Sequence, residues 1–139
     1  MRLLDLFCGA GGASMGYKKA GFDEIVGVDK QPQPHYPFEF VQADALEFCE
    51  LYGWEFDAIH ASPPCQAFTP LAHMIPASKK INLIPQTRKV VMATGRPYVI
   101  ENVTNSGLKG IVLCGLMFGQ NAFRHRVFES NLLLLQPSM

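Results

Sequence analysis

Long apolar runs are missing from this 139-residue chain. No stretch approaches the ~18 consecutive apolar residues of a membrane span, so no membrane role is expected. The opening Met1-Arg2-Leu3-Leu4-Asp5 lacks the apolar core and cleavage site of a secretory signal, and Asp5 would interrupt one. The four cysteines, at 8, 49, 65 and 114, show no C-x-x-C spacing. That argues against a zinc site and a disulfide frame, and for a reducing cytoplasm. There is no internal repeat, low-complexity tract or composition shift, so one domain over 1–139 is expected. An excess of either charge is lacking too, since 12 Lys and Arg balance 12 Asp and Glu.

That balance conceals a split. Residues 1–61 carry 4 Lys/Arg against 10 Asp/Glu, a net of −6, and residues 62–139 carry 8 against 2, a net of +6. One reading is an anionic partner for the second half; the other is chance on a small protein. A hydrophobic content of 48% and a mean hydropathy of +0.09 describe a globular chain large enough to bury a core.

Leu3 to Phe7 is a short apolar run that leads into Cys8-Gly9-Ala10-Gly11-Gly12. Strand, glycine-rich turn and helix open a nucleotide-binding βαβ unit. The pattern is G-x-G-G, and Asp5 stands just before it. A carboxylate there would repel a pyrophosphate and suits a ligand with a cationic or hydrogen-bond-donating end. A purely structural glycine turn is the other reading. The spacing predicts a helix from Gly12 to Ala20 stopped by Gly21, then a strand from Glu24 to Val28 with Asp29 at its end. Asp29 follows Gly12 by 17 residues, near the ~20-residue spacing at which an acidic side chain takes the ribose hydroxyls. Phe40 to Gln42 reads as a third strand. Asp44 reads as the N-cap of a helix from Ala45 to Tyr52 that Gly53 closes, as a contact to an adenine amino group, or as both.

The chain then centres on Ser62-Pro63-Pro64-Cys65-Gln66-Ala67, which follows an apolar strand over 56–61. Two prolines stiffen the loop, and the loop sits past a strand end, where ligands bind in open α/β sheets. A cysteine held there is a candidate nucleophile; by itself it reads equally as a small hydrophobe at a corner. Residues 66–84 read as a long binding loop, with Lys79 and Lys80 able to meet a phosphate backbone or simply to be solvated. A helix is expected from Gln86 to Thr94, stopped by Gly95, then a strand Tyr98 to Ile100 ending in Glu101-Asn102-Val103. Further strands are expected at Gly110 to Gly115 and Arg124 to Glu129, the latter with two arginines on one side. Leu132 to Leu135 reads as a last apolar strand or edge.

Asp5 to Gly12, Ser62-Pro63-Pro64-Cys65-Gln66, Glu101-Asn102-Val103 and Arg124-His125-Arg126 occur in this order. In this the chain resembles the DNA (cytosine-5)-methyltransferase family, especially its short phage-type members, from Leu3 to about Asn131. The resemblance implies an α/β, Rossmann-like S-adenosylmethionine-dependent methyltransferase fold: a mostly parallel sheet with helices on both faces, C-terminally truncated. It implies that Asp5, Phe7, Gly9, Ala10, Gly11, Gly12, Asp29, Lys30, Asp44, Ala45 and Pro63 bind S-adenosylmethionine, with Asp29 on the ribose and Asp44 on the adenine amino group. It places Cys65, Glu101, Arg126, Pro64, Asn102 and Arg124 in the catalytic centre, with no metal.

The chemistry asks for such residues. Carbon 5 of cytosine is a poor nucleophile, and a thiolate adding at carbon 6 activates it. A carboxylic acid at ring nitrogen 3 relieves the developing charge, and burial can supply the raised pKa this needs. An arginine holds the exocyclic oxygen. The cytosine must leave the duplex to be reached. Two departures stand out. Ala122 occupies the position where the family's arginine motif usually begins with glutamine, and the sequence ends just past that motif, before any target-recognition region. The readings left open are a truncated product, a minimal bacterial or phage enzyme, or one subunit completed by a partner or a second copy. A non-catalytic cofactor- or nucleic-acid-binding remnant, and an enzyme acting on RNA cytosine or a free pyrimidine nucleotide, are the alternatives.

Overall fold

The computed structural model describes residues 1–64, 72–74 and 82–138. Its strands are β1 (Arg2–Leu6), β2 (Glu24–Asp29), β3 (Glu39–Gln42), β4 (Ala58–Ala61), β5 (Tyr98–Asn102), β6 (Ile111–Cys114) and β7 (His125–Ser130). Its helices are α1 (Gly12–Ala20), α2 (Ala45–Tyr52) and α3 (Ile84–Ala93). The strands form one sheet in the order β3-β2-β1-β4-β5-β7-β6. The first five in that order pair in parallel, whereas β7 runs antiparallel to both β5 and β6. The expected mostly parallel α/β sheet is therefore present, with an antiparallel strand inserted near one edge.

Alternation along the strands divides the helices between two faces. Leu4, Leu6, Val26, Val28, Ile59, Ala61 and Ile100 form one core with Ala45 and Cys49 of α2 and Ile84, Val90 and Val91 of α3. Burying an aliphatic side chain of this kind is worth about 1.5–3 kcal/mol. The intervening residues Asp5 and His60 face α1, which meets them through Ser14 and Tyr17. The strands are thus covered on both sides, as parallel sheets require.

Local chemistry sets the helix ends. Gly11 and Gly21 flank α1 with φ of 97° and 114°, and the Gly21 N–H returns to the Lys18 carbonyl. Only glycine takes such angles without strain. The Asp44 Oδ1 accepts the N–H groups of Leu46 and Glu47, each at 3.0 Å, and so caps α2. Among the described residues no helix is long and apolar enough to cross a membrane.

Three expectations need correction. α3 begins at Ile84 rather than Gln86, with Pro85 in its first turn, where proline's missing N–H has no intrahelical partner to lose. Gly53 closes α2 as expected, its N–H returning to the Cys49 carbonyl, and the chain continues into a 3-10 turn over Gly53–Glu55. Residues 56 and 57 precede β4 instead of belonging to it. Residues 132–135 form no strand, and Leu132, Leu133 and Leu135 are 55%, 88% and 81% exposed. The cause is Asn131, whose Oδ1 takes the Tyr98 N–H at 2.9 Å while its Nδ2 donates to the Arg96 carbonyl at 3.0 Å. That side chain occupies the start of β5 and ends the ladder.

Candidate active site

The strand order reverses between β1 and β4, and a crevice opens at their carboxyl ends, the usual ligand position in such sheets. β1 delivers Phe7 and the glycine turn to this edge. β4 delivers Ser62, and β5 delivers Glu101. Because β7 runs against β5, its first residues lie beside the last of β5, with Val127 opposite Asn102 and Phe128 opposite Glu101. Two residues back along β7, on the same face, Arg126 reaches the edge that holds Glu101. A cleft of about 600 Å³ results, bordered by Asp5, Phe7, Gly12, Ser62, Glu101, Arg124 and Arg126.

Burial pushes the Glu101 carboxyl above its ordinary range, while Arg126, Arg124 and a hydrogen bond from Ser62 pull the other way. Desolvation disfavours the ionised form and nearby cations favour it; here desolvation is the larger effect. Asp5 is 1% exposed and accepts from the Ser14 hydroxyl at 2.5 Å. Burial foremost, against the Ser14 hydrogen bond and with Glu101 and Asp29 nearby, pushes its pKa up to about 7. The Ser14 hydroxyl also meets the Tyr36 hydroxyl at 2.9 Å. Tyr36, from the loop between β2 and β3, lies across Gly27, where a Cβ would come within 2.4 Å of its ring.

Phe7 has a left-handed φ of 58°, a conformation that costs a non-glycine residue on the order of 1 kcal/mol and that clusters at ligand sites. Beside it the Gly9 N–H donates to the Asp29 Oδ2 at 3.0 Å, and the Gln31 N–H donates to Oδ1 at 3.0 Å. Each carboxylate oxygen has a second lone pair, so Asp29 is oriented by backbone and still able to accept from a ligand hydroxyl. Both bonds to Asp44 use Oδ1, which leaves Oδ2 as an acceptor. A second cavity of about 350 Å³ is lined by Phe7, Asp44, Leu46, Leu83 and Val90 among others, so Phe7 borders both spaces. No atom lies within 4 Å of where a Cβ on Gly9 or Gly12 would stand. Three carboxylates around an open glycine surface fit a ligand rich in hydrogen-bond donors and free of phosphate.

The other candidate residues divide. Asn102 is 4% exposed; its Nδ2 donates to the Pro63 carbonyl at 3.0 Å and its Oδ1 accepts the Val103 N–H at 2.8 Å. Pro63 is buried and Pro64 exposed. Ala45 turns its methyl into the core, which leaves only its backbone for a ligand. Lys30 and Ala10 are exposed. Gly11 packs under Tyr36 and Pro37, with a would-be Cβ 2.9 Å from each. Cys65, Gln66, Ala67, Lys79 and Lys80 lie outside the described residues. Cys8, Cys49 and Cys114 are buried free thiols, and burial pushes Cys8 and Cys49 up to about 12. Among the described residues no group of His, Cys, Asp or Glu could hold a metal ion.

The sequence reading passed over Ser14, Tyr17, Tyr36, His60 and Ser62. The Tyr17 hydroxyl meets the His60 Nδ1 at 2.8 Å, and the His60 Nε2 meets the Ser62 hydroxyl at 2.9 Å. One signal was available: polar residues at 60 and 62 share a face of an otherwise apolar strand.

Comparison with known proteins bears on the family and the fold. Residues 1–106 match the family model for the C-5 cytosine-specific DNA methylase. The type II methyltransferase M.HgiGI of Herpetosiphon aurantiacus is 31% identical over 124 residues, covering 80% of this chain and 97% of the relative. M.HgiDI of the same organism is 31% identical as well, but the chain spans only 40% of its length. Among solved structures, an E. coli prophage protein described as a DNA modification methyltransferase shares the fold with a TM-score of 0.62 and 23% identity, over 92% of this chain and 45% of that one. A conserved hypothetical protein of Streptococcus pyogenes shares it at 0.60 and 16% identity, over 99% of this chain and 90% of that one.

Proposed function

The chain belongs to the C-5 cytosine-specific DNA methylase family, and from that we propose that it transfers a methyl group from S-adenosylmethionine to carbon 5 of a cytosine flipped out of DNA, with Cys65 as nucleophile. The observation that carries this reading is Glu101: a carboxyl raised above its ordinary range by burial, beside two arginines, in the cleft that reaches the glycine turn.

S-adenosylmethionine supplies an electrophilic methyl group when bound. The residues that would hold it are Phe7 and the Gly9–Gly12 turn along its length, Asp29 at the ribose hydroxyls, Asp44 at the adenine amino group and Asp5 toward the cationic end. The set fits, because carboxylates placed this way accept from hydroxyl and amino groups and exclude phosphate. Backbone hydrogen bonds fix Asp29 and Asp44 in advance, which lowers the ordering cost of binding.

The Cys65 sulfur bonds to cytosine carbon 6, and the electron pair of the double bond shifts toward carbon 5. Glu101 places its proton at ring nitrogen 3, so the ring gains no net negative charge. Arg126 holds the exocyclic oxygen, and Arg124 adds positive charge at the rim. Asn102 fixes the Pro63 carbonyl and with it the start of the loop that bears the thiol. After methyl transfer a water takes the carbon 5 proton, the carbon 6–sulfur bond breaks with Cys65 departing as thiolate, and ring nitrogen 3 returns its proton to Glu101. Extruding the base costs about a few kcal/mol, least in single-stranded DNA.

DNA carrying 5-fluorocytosine tests this directly, because the fluorine cannot leave as a proton does. With S-adenosylmethionine present, a covalent protein–DNA adduct is expected. Cys65→Ser should abolish it, Cys8→Ser and Cys114→Ser should keep it, and Glu101→Gln should slow it. An adduct that persists in Cys65→Ser overturns the nucleophile assignment. No adduct in any variant despite cofactor binding overturns the catalytic reading in favour of a binding remnant.

A further inference from the structure

A line of polar side chains crosses the covered face of the sheet and ends at Glu101. It begins at Tyr17 on α1, passes through His60 on β4 and continues to Ser62, at 2.8 and 2.9 Å. Ser62 and Glu101 border the same cleft, and the Ser62 hydroxyl is near enough to Glu101 to draw its pKa down. We propose that His60 is a positioning residue for Glu101: clamped between Tyr17 and Ser62, it fixes the Ser62 hydroxyl as a donor to the carboxyl and so governs the proton held there. This deepens the reading of Glu101 given above and rests on it for its consequence.

The proposed chain runs from Tyr17 to Glu101. His60 is 2% exposed, and burial pushes its pKa down to about 4, so near neutral pH it carries one ring proton. Burial, with Asp5 and Glu101 adding to it, raises the Tyr17 phenol, which therefore stays protonated. A phenol that donates to Nδ1 leaves the proton on Nε2, which donates to Ser62. The Ser62 hydroxyl then has an acceptor role filled and its own proton directed at Glu101. Each bond polarises the next, so the last donor is stronger than an isolated serine.

The other groups that face these residues are accounted for. Glu101 meets Arg126 on β7, Arg124 just before it, and Asp5 on β1. His60 is flanked in the sheet by Asp5 and Val99, and the Tyr17 ring packs edge-on against it at 5.3 Å. The arginines pull Glu101 toward its charged form from the open side; Ser62 does so from the closed side, and His60 sets how strongly.

Carboxyl-carbon NMR titration of Glu101 in the free protein, with nitrogen-15 labelling of His60, tests this without any need for turnover. Wild type should show His60 as the Nε2–H tautomer alone. Ser62→Ala should raise the Glu101 midpoint by roughly one pH unit, and Ser62→Thr should restore it. His60→Leu, which keeps the volume and leaves the core apolar, should raise the midpoint where Ser62 is present and leave it unchanged in the Ser62→Ala background. The same upward shift should appear in the pH profile of methylation, whose rate falls as Glu101 loses its proton. Equal midpoints in wild type and His60→Leu, or shifts that simply add, overturn the proposal. Shifted midpoints in a protein that methylates nothing leave the relay standing and sink the catalytic reading instead.

Discussion

Asn102 on β5 donates its side-chain amide to the carbonyl oxygen of Pro63, 39 residues earlier in the chain, at 3.0 Å. The bond ties the end of one parallel strand to the loop that leaves its neighbour. Glu101 sits one residue before this tie and Cys65 two residues after it, so one buried amide adjoins both proposed reacting groups in sequence. Asn102→Ala would strand the Pro63 carbonyl and the Val103 N–H. The expected cost is roughly 2 kcal/mol of stability in denaturant titration. Adduct formation should fall by more than the affinity for S-adenosylmethionine, which calorimetry reports separately. Equal losses in both would mean the tie has no special relation to the chemistry.

Asp5 should make stability and cofactor binding pH-dependent. Its folded pKa, about 7, lies above the ordinary aspartate value of about 3.9, so between those limits the folded protein holds a proton that the unfolded chain has released. This group's contribution is full below about pH 4 and is lost as pH rises toward 7, by on the order of 3 kcal/mol. A cationic ligand end favours the charged carboxylate. Binding of S-adenosylmethionine at pH 6 should then release up to about one proton, measured by calorimetry in buffers of different ionisation heat. Asp5→Asn should remove both the proton release and this part of the pH slope.

Glu129 should behave in the opposite sense. It is 8% exposed and accepts the Arg88 Nε and Nη2 at 2.7 and 2.9 Å and the Lys109 N–H at 2.9 Å. The Arg88 hydrogen bonds hold its pKa below the ordinary glutamate value. Its contribution is therefore present above about pH 4.5 and lost as pH falls through the folded value. Glu129→Gln should cost roughly 2 kcal/mol at pH 7, less than a fully buried pair because the Arg88 side chain is 34% exposed and partly screened. Once the pH has fallen through that folded value, the variant and wild type should converge in thermal or denaturant unfolding.

Thr87 offers a gain. It is fully buried in α3, and its hydroxyl has no hydrogen-bond partner among the described residues. Thr87→Val keeps the shape and removes the unsatisfied oxygen, so stability should rise by about 1 kcal/mol. The midpoint of urea unfolding reports this, with the denaturant slope unchanged.

Much of the cofactor half was legible because its signals are local. The glycine turn, the Gly21 stop and the Asp44 cap each act within a few residues, and α1 and α2 have the expected bounds. The chemistry half depends on pairings distant in sequence. Nothing near residues 125–130 says that this strand inserts between β5 and β6, although that insertion brings Arg126 to Glu101. The leucines at 132–135 carry a strand's composition, but a distant contact from Asn131 overrides it. Pro85 reads as a breaker until its place in the first helical turn is known. The His60 and Ser62 pair was visible as polar residues in an apolar strand, but their partner Tyr17 lies 43 residues before His60, on a different element.

The reversed course of β7 has a bearing on synthesis. A chain leaving the ribosome folds from its N-terminus as it grows, at about 5–20 residues per second. The glycine turn, Asp29 and Asp44 can be in place while β5 still lacks its outer neighbour. Arg126 arrives only with β7. On the proposed assignment, the residues for the methyl donor emerge several seconds before the arginines that stand beside Glu101.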